Sequence, residues 1–236
     1  MNKINDICLN FYQSSYLTHG IGRRYPNEEL ARFIGTRFSI SSAEKKAIKI
    51  LDMGCGCANN LWMIAREGFD AYGIDFSPEA VRLSKEVLDS WGVEANISVA
   101  DARALPFDNT SFDVILDNLA LCCLAEHDFS TALHEVKRVL RLGGIFFFHT
   151  LSTGSDVFTG QSTNKKIDAY TFDGLTDPAF PSYYGQIGPV RFLDFDTCTA
   201  FFEEHGLTVT KKEKISRTYN NGQEYFEFIS GVAVNG

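Results

Sequence analysis

Apolar and polar positions change rhythm near residue 47. Before it, Phe11, Tyr12 and Tyr16 recur at helical spacing, His19-Gly20-Ile21-Gly22 breaks the pattern, and a second helical stretch, EELARFIG, opens just after Pro26. From Ala47 onward short β-branched or apolar runs alternate with helical ones: AIKILDM, NNLWMIAREG, AYGID, PEAVRLSKEVLDSWG, ANISVAD, FDVILDN, FSTALHEVKRVLRLGG and IFFFHTL. Strand and helix in alternation predict a parallel sheet covered on both faces, because each crossover is right-handed and lays its helix on one side. Between Ser152 and Asp194 the periodicity vanishes. That segment holds three of the six prolines and many aromatics, among them Phe158, Tyr170, Phe172, Tyr183, Tyr184 and Phe192. Long irregular segments inside compact domains are uncommon, and this aromatic content points to a lid or wall. DFDTCTAFFEEHG then reads as a helix, and LTVTKKEKI and QEYFEFISGVAV as two strands. The expected layout is one domain over 1–236: a helical cap at 1–40, a ligand-binding core at 47–151, a lid or wall at 152–194, and a helix with two strands at 195–236.

Composition narrows the functional classes. The net charge of -8, with basic residues grouped no more closely than short pairs such as Lys211-Lys212, argues against nucleic-acid binding, which rests on grouped Lys and Arg. The N-terminus MNKINDICLNFYQ is too polar and aromatic for a secretory signal. Ile145–Phe148 is far shorter than the roughly 20 apolar residues of a membrane helix, so a cytosolic protein without membrane contact is expected. The six cysteines lack the paired C-x-x-C arms of a zinc site and read as reduced, buried thiols, with no metal.

The chemistry concentrates in ILDMGCGCANNLWMIAREGFDAYGIDF, Ile50 to Phe76. A strand ends at Asp52-Met53, Gly54 and Gly56 allow a sharp turn with close backbone approach to a ligand, and a second strand ends on Asp75. A dinucleotide site is one reading of this pattern, with Asp75 taking ribose hydroxyls. Two features oppose it: Asn59 stands where a third glycine belongs, and Asp52 would face the negative pyrophosphate. Two carboxylates around one pocket favour a ligand that carries positive charge.

With these motifs the chain resembles the class I S-adenosylmethionine-dependent methyltransferases, over residues 47 to 151 in order. The resemblance implies a Rossmann-like, mostly parallel seven-stranded α/β sheet with helices on both faces and a C-terminal antiparallel strand, and it implies S-adenosylmethionine as cofactor. It also implies roles. Asp52, Gly54 and Gly56 would receive the methionine portion, Asp75 the ribose, Phe76 the adenine face, and Asp101-Ala102 the adenine amino group. Asp117-Asn118 would lie near the sulfonium, and Tyr16 belongs to the aromatics that close over the cofactor. Structural alternatives stand beside these: Asp52 as a turn cap, Asp101 as a turn acid before Pro106, Asp117 as a solvated side chain.

Methyl transfer from a sulfonium needs mainly positioning and exclusion of water, while a hydroxyl acceptor also asks for a general base. His149 at a strand end, His127 following the fourth strand's loop near a helix start, and Tyr183 and Tyr184 in the lid are the candidates; a packed His149 and a surface His127 are the alternatives. The Asn or Asp, two prolines and aromatic of methyltransferases acting on adenine or amide nitrogens are missing from Asp117-Asn118-Leu119-Ala120. A small-molecule acceptor is therefore expected, a sugar, nucleotide sugar or natural product methylated on oxygen or nitrogen, walled by Tyr12, Tyr16, Arg23 and residues 152–194. A homodimer is compatible with this reading. The competing classes are a nicotinamide-dependent oxidoreductase on a similar fold and a non-catalytic scaffold that binds cofactor.

Overall fold

A computed structural model describes the chain apart from residues 1–2, 23, 161 and 184; the side chains of 1–8 and 183 also lie outside the description. The candidate base Tyr184 and the wall residue Arg23 therefore fall outside the described residues.

Two helices lead, α1 (Lys3–His19) and α2 (Glu28–Arg37). Asn27 starts the second: its side-chain oxygen accepts the Glu29 and Leu30 N–H groups, satisfying donors that a helix start leaves open. A short helix, α3 (Ser42–Lys46), was not expected, although Ser41 and Glu44 form a capping box whose S-x-x-E signature is plain in the sequence. Then follow β1 (Lys49–Met53), α4 (Leu61–Arg66), β2 (Asp70–Asp75), α5 (Pro78–Trp91), β3 (Asn96–Val99), β4 (Phe112–Asn118), α6 (Glu126–Val139) and β5 (Leu140–Leu151). The order matches the alternation in the sequence. One junction differs, because Arg141 to Gly144, expected as helix end and turn, form an excursion within β5: Leu140 pairs with Phe112, and pairing resumes at Ile145 with Val114.

The main sheet has seven strands in the order β3-β2-β1-β4-β5-β9-β8, with β8 (Leu207–Tyr219) and β9 (Glu224–Asn235) added at one edge. Only β9 runs against its neighbours. Leu30 and Ile34 of α2, Leu61 and Ile64 of α4, and Leu83 and Val87 of α5 bury one face with Leu116 and Phe147. Phe129, Leu133 and Val136 of α6, with Phe202 of α8 (Cys198–Glu204), bury the other with Phe146 and Phe148. No described helix is long and apolar enough to cross a membrane.

The segment 152–194 is more ordered than its pattern suggests. After α7 (Asp156–Thr159), β6 (Thr171–Leu175) and β7 (Gln186–Arg191) pair as an antiparallel two-stranded sheet. Phe172, Leu175, Val190 and Phe192 bury their side chains against Leu151, Phe226 and Phe228, at the carboxyl end of β5. Gly174 and Pro189 interrupt the alternation that would have marked these strands.

Gly231 on β9 is a tight point: a Cβ there would lie 2.3 Å from the Phe148 ring and 2.8 Å from the Lys211 carbonyl oxygen. Gly231→Ala should lower stability by about 1–3 kcal/mol through overpacking, read as a lower midpoint in urea unfolding with an unchanged slope.

Candidate active site

The carboxyl ends of β1, β2 and β4 bring three acids to one edge of the sheet. Asp52, Asp75 and Asp117 are all buried. Their surroundings differ. Asp75 accepts the Gly56 N–H at 3.0 Å and the Ser77 N–H at 2.9 Å, so the second strand's acid holds the first strand's glycine turn. Burial raises its pKa and these two amides pull it back. Asp117 accepts the N–H groups of Ala120 and Leu121, each at 3.0 Å. Burial still pushes it up to about 6. Both oxygens of Asp52 are buried with no hydrogen-bond partner among the described residues. Desolvation, then the charges of Asp117 and Asp75, push its carboxyl up to about 8.

The turn itself needs glycine. Gly54 and Gly56 have φ of +64° and +53°, and a Cβ on Gly54 would lie 2.4 Å from the Ala120 Cβ. The opposing turn after β4 is also unusual: Leu119 sits at φ +60°, a costly conformation for a bulky side chain, held by its own N–H donating to the His149 carbonyl at 2.9 Å and by the Asp117 carboxylate on the next two amides. Asp117 therefore shapes the wall through its backbone bonds and is not solvated.

Between these turns lies a cavity of about 170 Å³, bounded by Tyr12 and Tyr16 of α1, Gly54, Asp75-Phe76, Asp101-Ala102-Arg103, Leu119–Leu121, Cys123, Asp128 and Pro189 of β7. Tyr16, Gly54, Asp75, Phe76, Asp101 and Ala102 thus converge as the motif order implies. Gly56 lies just behind, where a Cβ would come 3.2 Å from the Tyr16 hydroxyl. Burial, with Asp75 nearby, drives the Tyr16 hydroxyl far above its ordinary pKa. Asp101 is held by Arg103, which also reaches Asp128 at 2.9 Å. Asp52, Asp117 and Asn118 are not on the wall; the Asn118 side-chain oxygen is buried without a partner among the described residues.

The candidate bases fare differently. His149 does not emerge at the edge: β5 continues to Leu151, and the ring is buried and stacked on Phe228 at 5.2 Å, off the cavity wall. His127 is exposed in the first turn of α6, and it is not on the wall either. The sequence reading missed Arg103, Leu119, Cys123, Gln186 and Pro189. Cys123 was read as a buried filler thiol, yet its place five residues after Asn118, on the loop leaving β4, was a usable signal. The described cysteines carry free thiols.

Known proteins match this geometry. Residues 50–144 match the family model of a methyltransferase domain. The demethylmenaquinone methyltransferase of Thermus thermophilus is 32% identical over 103 residues, 43% of this chain and 46% of that protein. A solved S-adenosylmethionine-dependent methyltransferase from Methanosarcina mazei superposes with a TM-score of 0.67 at 20% identity, covering 79% of this chain and 92% of its own. The 1,6-didemethyltoxoflavin-N1-methyltransferase of Burkholderia thailandensis, solved with 1,6-didemethyltoxoflavin and S-adenosylhomocysteine, superposes at a TM-score of 0.62 and 16% identity, covering 99% and 89%. Residues 50–144 thus match a methyltransferase domain, and the seven-stranded sheet has the fold of solved S-adenosylmethionine-dependent methyltransferases; together they support a class I S-adenosylmethionine-dependent methyltransferase with S-adenosylmethionine as cofactor. The chain spans about half the length of the curated relatives it matches.

The Asp52 carboxyl carries a testable sign. An unfolded chain ionises it near pH ~4, whereas the folded chain keeps the proton to about 8. The folded state therefore binds the extra proton across that window, and stability falls as pH rises through it. Between pH 6 and 8, above the Asp117 range, Asp52→Asn should flatten this fall in the thermal midpoint; an unaltered slope would exclude Asp52 as its source.

Proposed function

We propose that this protein transfers the methyl group of S-adenosylmethionine to an oxygen or nitrogen of a small molecule. The observation that carries the reading is Asp52, an acid buried off the cavity wall beside the Gly54 turn with both oxygens unpartnered among the described residues. Buried polar groups are almost always satisfied, and an acid left bare at a ligand-binding edge suits a cationic guest.

On this reading Asp52 and the Gly54–Gly56 turn hold the methionine portion of the cofactor. Asp75 exchanges its hold on backbone amides for ribose hydroxyls, Phe76 lies against the adenine, and Asp101-Ala102 meet its amino group. Asn118 offers its buried oxygen near the sulfonium, Asp117 keeps the neighbouring turn in place, and Tyr16 closes over the glycine turn. The bound cofactor supplies an electrophilic methyl group. The chain's own task is to orient the acceptor and keep water out, for which α1 and the β6–β7 hairpin serve as walls. This makes residues 1–40 a cap and 152–194 the acceptor side of one catalytic domain. An acidic chain with a carboxylate-rich cavity suits a small acceptor over nucleic acid. Two similar proteins are named for the acceptors demethylmenaquinone and 1,6-didemethyltoxoflavin. Sugars, nucleotide sugars and natural products remain the acceptor classes to screen.

The reversed strand β9 between β5 and β8 and the acid at Asp52 count against the nicotinamide reading. Calorimetry should show binding of S-adenosylmethionine and S-adenosylhomocysteine and none of NAD. Label transfer from methyl-labelled cofactor to an acceptor panel separates an enzyme from a scaffold. Asp75→Ala should weaken S-adenosylhomocysteine binding by about 2 kcal/mol, the scale of a charge-assisted hydrogen bond; unchanged affinity would remove its ribose role.

A further inference from the structure

Three elements meet at one sulfur on the wall of the cavity. Cys123 Sγ lies 3.0 Å from the Tyr12 hydroxyl of α1, and the Gln186 amide of β7 donates to that hydroxyl at 3.1 Å and to Cys123 Sγ at 3.8 Å. Tyr12 and Cys123 both line the cavity, while Tyr12 and Gln186 also line an outer groove between α1 and the hairpin, with Phe11, Ser14, Ser15 and Thr18. The three side chains thus form the partition between solvent and the enclosed space.

We propose that this partition is the methyl-acceptor subsite, that Cys123 takes the proton there, and that the acceptor is an uncharged phenol or enol arriving through the groove between α1 and the β6–β7 hairpin. The inference rests on the methyltransferase reading and deepens it.

The chemistry follows from the surroundings. An amine acceptor needs no arranged base, whereas a hydroxyl does, and polar groups from two other elements, Tyr12 of α1 and Gln186 of β7, around one sulfur constitute such an arrangement. The Cys122 thiol and the Tyr12 hydroxyl stabilise charge on Cys123 and lower its pKa, against burial and the carboxylates of Asp117 and Asp75. Burial drives the Tyr12 hydroxyl well up, and the Cys123 contact with burial drives the Cys122 thiol up, so both keep their protons and remain donors. In the transfer, the acceptor oxygen forms a bond to the methyl carbon as the carbon–sulfur bond breaks, and that electron pair stays on the cofactor's sulfur. The O–H proton passes to the Cys123 thiolate and later leaves to water through the groove. The carboxylates lining the cavity, the buried Asp75 among them, disfavour an anionic acceptor, and the edge-on rings of Phe11 and Tyr12, 5.3 Å apart, suit a flat conjugated one.

The test has two arms on the full chain. Site-resolved alkylation of Cys123 by iodoacetamide, from pH 5.5 to 9, should titrate below an ordinary thiol at about 8.5, and Tyr12→Phe should move the midpoint up. Methyl transfer from labelled cofactor should reach 1-naphthol and catechol but neither benzoate nor aniline. Cys123→Ala and Cys123→Ser should lower kcat at least 100-fold with the S-adenosylhomocysteine Kd within threefold of the parent. An ordinary thiol titration, half or more of the turnover retained in Cys123→Ala, or a panel in which only benzoate or aniline or nothing is methylated would each overturn the proposal. Failure of the parent protein to bind S-adenosylhomocysteine would instead overturn the methyltransferase reading.

Discussion

The structure turns on the burial of three carboxylates at neighbouring strand ends. Each is costly to remove from water, and their mutual repulsion adds to the cost. Asp75 and Asp117 are each offset by two backbone amides, and in both cases those amides belong to the turns that bound the cavity. The acids therefore do two jobs at once. They set the electrostatic sign of the edge, and they hold Gly54–Gly56 and Leu119–Leu121 in conformations that relaxed chains avoid. Asp52 alone has no such offset among the described residues. Its raised pKa expresses the imbalance that a cationic guest would relieve.

Around that edge the fold supplies walls from elements remote in sequence. Helix α1 brings Tyr12 and Tyr16 from the start of the chain, and β7 brings Pro189 and Gln186 from beyond the fifth strand. The hairpin can stand there because it has an apolar core of its own against Phe226 and Phe228. It meets α1 through Gln186 and Tyr12, so cap and hairpin meet over the same opening. A long aromatic segment is in this way a built wall with paired strands, and its ordering has the same origin as that of the main sheet.

The placement of possible proton acceptors illustrates how packing selects among residue types. His149 has the usual chemistry of a base, but two more residues of β5 follow it, and the pairing with Asn118 and Ser230 keeps it within the sheet against Phe228. Cys123 has a less common chemistry for the task, yet the pinned turn after β4 carries it to the cavity wall beside a hydroxyl and an amide. A residue's reach is set by the backbone it rides on before its own pKa matters.

The strand-and-helix alternation, the glycine turn at Gly54–Gly56 and the acids at Asp52, Asp75 and Asp101 were legible in the sequence because they depend on local rules: period, turn geometry and the chemistry of a strand end. The same rules located β8 and β9 but missed β6 and β7, where Gly174 and Pro189 broke the alternation that strands show. They also overextended the helix before β5, because nothing local distinguishes Arg141–Gly144 as a turn from the same residues as a bulge. Asp117 as the pin of a strained turn, the seclusion of His149, and the meeting of Tyr12, Cys123 and Gln186 were decided only by the tertiary structure. Each depends on contacts between segments far apart in the chain, 111 residues for Tyr12 and Cys123, or on how far a strand runs past a given residue, and no window of sequence carries that distance.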